Sequence, residues 1–100
     1  EAVQVETAKM EPERLKAAFG NRLSFHGAIS VQALLPWNDT ETVEREVRKL
    51  VEILGQGGGY IAAPSHCIQV GTPPENILAM LRGVLGEDDY QQVLSYASIA

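Results

Sequence analysis

A single cysteine among 100 residues rules out an internal disulfide framework and fits a reducing compartment, so a cytoplasmic location is expected. Long hydrophobic runs are missing as well. No apolar stretch approaches the roughly 20 residues that span a bilayer, and the N-terminus lacks the basic-then-apolar pattern of a signal peptide. No membrane partner is expected. Basic residues are few, with 8 Lys and Arg against 13 Asp and Glu and a net charge of −5. Without a basic stripe to displace counterions from phosphates, no nucleic-acid partner is expected either. There is also no initiator Met, and the chain opens almost directly on the strand-like Ala2-Val3-Gln4-Val5. A chain that starts inside an element is expected to be cut from something longer.

Several catalytic signatures are absent. There is no Gly-x-Ser-x-Gly elbow and no metalloprotease helix motif. Gly57-Gly58-Gly59 precedes a strand, whereas phosphate-cradling glycines follow a strand and open a helix. Trp37, beside Pro36, reads as a loop-packing residue.

What remains is an alternation of strands and helices, with no linker, low-complexity tract or repeat, in a single segment spanning residues 1–100. Ala2 to Glu6 is a short β-like run. A first helix starts near Met10 or Glu11, with Pro12 suited to its first turn and Gly20 at its end. Leu23 to Phe25 forms a second strand closed by Gly27; the apolar run from Ala28 to Leu35 is ambiguous. Asp39 caps a long helix whose Val43, Val47, Leu50, Val51 and Leu54 recur at helical spacing. The pairs Glu41–Arg45 and Glu44–Arg48 stand four residues apart on its exposed side.

Tyr60 to Ala63 is the third strand. Thr72 with Glu75 reads as a capping box, with Pro73 at the first helical position. Ile77, Leu78, Leu81, Val84 and Leu85 would form that helix's buried face. A terminal helix follows over 88–98. The alternation implies parallel βαβ units with right-handed crossovers, and thus an α/β fold.

Chemistry concentrates where strands end. His66 follows the third strand through Pro64 and Ser65, so its imidazole can act as a general acid or base, bind an anion or hold a metal; as a loop residue it can equally hydrogen-bond a backbone carbonyl. His26 lies near the end of the second strand, and neighbouring strands are about 5 Å apart, so the two histidines could converge on one ligand. Glu6, at the end of the first strand, would complete a polar rim. Cys67 cannot easily share a metal with His66, because adjacent side chains diverge; it reads as a small, partly buried hydrophobe.

Two stretches carry a resemblance. Phe19-Gly20-Asn21-Arg22-Leu23-Ser24-Phe25-His26-Gly27-Ala28-Ile29-Ser30-Val31-Gln32, followed by Leu35-Pro36, resembles the penultimate βα unit of the uroporphyrinogen decarboxylase superfamily. Gly57-Gly58-Gly59-Tyr60-Ile61-Ala62-Ala63-Pro64-Ser65-His66, then Thr72-Pro73-Pro74-Glu75-Asn76-Ile77, is similar to its final strand and helix. The resemblance implies that the chain is the C-terminal third of a (β/α)8 TIM barrel, with the opposite rim of the active site elsewhere.

The superfamily's decarboxylases remove acetate carboxyl groups from a tetrapyrrole without a cofactor, and His66 matches a histidine that contacts substrate. A second branch comprises zinc-dependent methyltransferases acting between a corrinoid protein and a thiol. There His66 would take the place of a cysteine ligand. The decarboxylases usually carry Gly-His-Gly and Gln-Gly-Asn where this chain has Ser65-His66-Cys67 and His26-Gly27-Ala28, which is closer to decarboxylase-like proteins associated with methyl transfer. His66 is expected as the catalytic group, with His26 and Glu6, placed by their strand ends, as substrate-binding groups; the resemblance implies zinc on His66 only for methyl transfer. An isolated segment is expected to lack decarboxylase activity. Three parallel strands leave one sheet face and both edges open, so the segment is expected to associate with its own copies, and a non-catalytic oligomerising module is the alternative.

Overall fold

The computed structural model describes residues 2–5 and 11–99. Its elements run β1 (Ala2–Val5), α1 (Pro12–Phe19), β2 (Ser24–Ile29), α2 (Thr40–Leu54), β3 (Tyr60–Pro64), α3 (Pro74–Leu85) and α4 (Glu87–Ile99). The strands form one parallel sheet in the order β1-β2-β3. Each crossover advances one strand in the same direction, so two right-handed crossovers place α1 and α2 on one face. Leu15 of α1 and Leu50 and Leu54 of α2 accordingly pack with Phe25, Ala28 and Tyr60. A second cluster joins Ile29, Val31 and Leu35 to Val43 and Val47 of α2 and to Ala79 and Met80 of α3.

The long helix forms as its spacing predicts. Asp39 is its N-cap and accepts from the Thr42 N–H at 2.8 Å, which holds the Asp39 carboxyl below its ordinary pKa. Of the two charge pairs, Glu44–Arg48 closes at 2.9 Å, while Arg45 lies 3.9 Å from Glu46. The end of α2 has a partner that the sequence pattern did not reveal. Lys16 of α1 donates to the Leu54 and Gly58 carbonyls at 2.8 and 3.0 Å, supplying a cation at the helix's negative end. Gly57, Gly58 and Gly59 then carry φ of 71°, 86° and 82°, a left-handed run that only glycine enters without steric cost.

The third helix departs from expectation twice. Its first helical residue is Pro74, with Pro73 as N-cap and no side-chain cap. The helix starts one residue later than the Thr72–Glu75 capping box requires. Thr72 Oγ1 is consequently buried with no hydrogen-bond partner. Its buried face is also rotated, to Asn76, Ala79, Met80 and Gly83, leaving Leu78 exposed. The larger Ile77, Leu81 and Val84 flank the contact instead of centring it. Small residues win because α2 approaches closely: a Cβ on Gly83 would lie 2.9 Å from Val47 Cβ and from the Glu44 carbonyl oxygen.

The last helix joins α3 through Arg82, whose guanidinium lies 4.6 Å from the Tyr90 ring centroid and whose Nε is 3.1 Å from Glu87 Oε2. Among the described residues, no helix is long and apolar enough to cross a membrane.

Candidate functional site

The βα loops 30–38 and 65–73 lie at the carboxyl edge of the sheet, where α/β folds place their chemistry. Ladder bonds fix this edge. The Ser65 N–H donates to the Ile29 carbonyl at 2.8 Å, so the turn after β3 is locked to the end of β2. His66 emerges one residue later and is exposed.

Asn76, in the first turn of α3, ties that helix to the 30–38 loop. Its side chain is 2 % exposed, and Nδ2 donates to the Leu35 and Asn38 carbonyls at 2.7 and 2.8 Å. Asn38 in turn donates to the Ala33 and Leu34 carbonyls at 3.1 and 3.0 Å. These amides shape the rim beside His66. Asn76 was not singled out from sequence as structural, although its helical spacing from Ala79, Met80 and Gly83 marks it as inward-facing.

The histidines do not converge. Strand β2 runs on past Gly27 to Ile29, so His26 sits inside the strand, in register with Ile61 rather than at the edge. From Ile61 to Pro64 the strand rises about 10 Å at roughly 3.3 Å per residue, and His66 lies beyond that. One small ligand cannot bridge both rings at hydrogen-bond distance. Glu6 lies outside the described residues.

His26 occupies the sheet face opposite α2. Register partners in a parallel pair point the same way, and Ile61, the partner of His26, is 54 % exposed. That face is open, with His26 half-buried on it.

Two other sequence readings change. Cys67 is an exposed free thiol, not a packed hydrophobe, because it belongs to the turn after Ser65 and not to the strand. Trp37 is 82 % exposed and does not pack its loop, a role taken by Asn38 and Asn76. Val70, in the 65–73 loop, is fully exposed as well.

Among the described residues, no three His, Cys, Asp or Glu side chains are grouped as metal ligands. A zinc ion takes four protein ligands, or three with a water, so zinc held by His66 would need donors from outside this group. A cleft of about 330 Å³ lies between α1, α2 and the 30–38 loop and includes neither histidine in its lining.

A parallel sheet with one covered face, a histidine at its carboxyl edge and a second on its open face is the arrangement to set against known proteins. No curated protein and no solved structure matches the chain. The family model described as uroporphyrinogen decarboxylase (URO-D) matches residues 1–85, which covers β1 through α3 and stops before α4. The chain belongs to the uroporphyrinogen decarboxylase family.

Proposed function

We propose that the chain is the C-terminal part of a uroporphyrinogen-decarboxylase-like (β/α)8 barrel and that His66 contacts a carboxylate-bearing tetrapyrrole at the barrel mouth. The observation that carries this reading is the half-covered sheet. Parallel strands need both faces buried, and here helices pack on one while His26 and exposed Ile61 occupy the other. In a barrel that second face is the interior, and the carboxyl edge bearing His66 is the catalytic rim.

In this reading His66 binds and orients a substrate carboxyl group, donating a hydrogen bond from its ring. Imidazole suits the task because its charge can change near neutral pH. His26, deeper in the interior, would meet another part of the same large ligand. Decarboxylation breaks one carbon–carbon bond, releases carbon dioxide and puts a proton in its place; this rim supplies only part of the groups that need holding. The chain by itself is therefore inactive, and it associates with its own copies through the open face and strand edges. A cytoplasmic setting accords with its exposed free thiol.

The second reading, methyl transfer between a corrinoid protein and a thiol, is favoured by His26-Gly27-Ala28 and Ser65-His66-Cys67 standing where decarboxylases carry other residues. It requires zinc ligands beyond those present. A barrel completed by grafting this chain onto the N-terminal part of a uroporphyrinogen decarboxylase, or the longer natural protein that contains it, separates the two. Loss of carboxyl groups from uroporphyrinogen without bound metal supports the first reading. Stoichiometric zinc with no decarboxylation overturns it. Sedimentation as a well-folded monomer, with no partner needed, would remove both the non-catalytic assembly alternative and the self-association expected here.

A further inference from the structure

The strand that carries His26 is irregular immediately after it. Gly27 and Ala28 have φ of 102° and 73°, where parallel strands normally sit near −120°. Ala28 is fully buried and carries a Cβ, so a left-handed conformation is unfavourable there and must be held by its surroundings. The irregularity also changes which residues share a face. In a regular strand, residues an even number apart share one, yet Phe25 and Ala28, three apart, belong to the same cluster under α2. His26 is the last residue before that shift.

One side chain grips the step. The Tyr60 hydroxyl donates to the Gly27 carbonyl oxygen at 2.6 Å, across the strand boundary. Its ring packs with Phe25, Ala28 and Leu54, so it reaches Gly27 from the covered face while His26 stands on the open one. Burial pushes the Tyr60 phenol up to about 12, which keeps the hydroxyl a donor throughout the neutral range.

We propose that Tyr60 is a positioning residue for His26, its hydroxyl fixing the Gly27–Ala28 step and thereby the place of the His26 imidazole on the open sheet face. The inference rests on the reading of His26 as a substrate-facing group, but its test needs no turnover.

The test is Tyr60→Phe in the full chain, followed by nuclear magnetic resonance. The His26 ring signals and the Gly27 and Ala28 amide signals should move, and amide exchange at Ala28 and Ile29 should rise about tenfold, as expected for loss of a buried hydrogen bond. The His66 ring and the Val43 amide should not change, which separates local positioning from general loosening. His26 signals unchanged in a folded Tyr60→Phe chain would overturn the proposal.

Should Tyr60→Phe alone fail to fold, the comparison is made in an Ala28→Gly background, where glycine accepts the left-handed step without a Cβ penalty. His26 must still move on adding Tyr60→Phe; if it does not, the proposal fails. A His26 that moves as expected, in a chain whose tetrapyrrole binding ignores His26→Ala in the completed barrel, would leave the positioning intact and sink the functional reading.

Discussion

Gly83 of α3 faces Val47 of α2 so closely that an added Cβ would lie 2.9 Å from both Val47 Cβ and Val47 Cγ1. The contact is between an absent side chain and a fully buried one, and it sets the separation of the two helices that carry most of the core. On helix propensity alone, Gly83→Ala would stabilise by about 1 kcal/mol. Overpacking at a site with a backbone carbonyl on one side costs about 1–3 kcal/mol. The second effect wins, so Gly83→Ala should destabilise the fold by a net of about 1 kcal/mol, read as a lower urea midpoint with an unchanged m-value. A midpoint at or above that of the parent chain would show that the helices separate freely.

Asn76→Leu keeps the branching and heavy-atom count of the side chain but removes both donors to the Leu35 and Asn38 carbonyls. Each buried carbonyl left without a partner costs about 1–3 kcal/mol, so a loss of about 3 kcal/mol is expected in thermal or chemical unfolding. The 30–38 loop should also exchange its amides faster than α2 does. An unfolding midpoint equal to that of the parent would remove Asn76 as the tie between α3 and the 30–38 loop.

Alkaline pH should weaken the fold through Tyr60. Its phenol titrates near 10 when unfolded and is raised to about 12 by burial in the folded chain. The folded state thus prefers the neutral form. This contribution to stability is fully present below about pH 10 and is lost as pH rises through the folded value. Tyr60 should show late phenolate absorbance, and Tyr60→Phe should abolish that late phase while flattening the alkaline fall in stability. A late phase that survives in Tyr60→Phe contradicts the assignment.

The open sheet face leads to a prediction about assembly. Ile61, Trp37 and Val70 are exposed, and β1 and β3 are edge strands with unpaired backbone groups. Sedimentation of the chain at micromolar concentration should show association, reduced by Ile61→Lys. A well-folded monomer would contradict this.

Element order was legible in the sequence because helical spacing and punctuation agreed: Val43, Val47 and Leu54 fall on one stripe, and Asp39 and Gly55 bound it. Three features were not legible, each for a physical reason. The buried face of α3 was misplaced because large apolar residues signal burial, whereas a close crossing selects Gly83 and Ala79. The extent of β2 was cut short because Gly27 reads as a terminator, whereas here it carries a left-handed step inside a strand. Lys16 at the end of α2 could not be foreseen, since its acceptors lie 38 and 42 residues away. At the site, His66 could be placed from local sequence because one strand and one turn define it. The position of His26 relative to it depended on the length of β2, and so was lost with it.

The most direct test of the central claim is His66→Ala in a barrel completed by grafting this chain onto the N-terminal part of a uroporphyrinogen decarboxylase. Positioned acid–base and hydrogen-bonding groups contribute about 10²–10⁴-fold. Carboxyl loss from uroporphyrinogen by the folded graft should therefore fall at least a hundredfold on His66→Ala, with circular dichroism unchanged. Equal rates in the two folded proteins would contradict the assignment of His66 to the substrate-contacting rim.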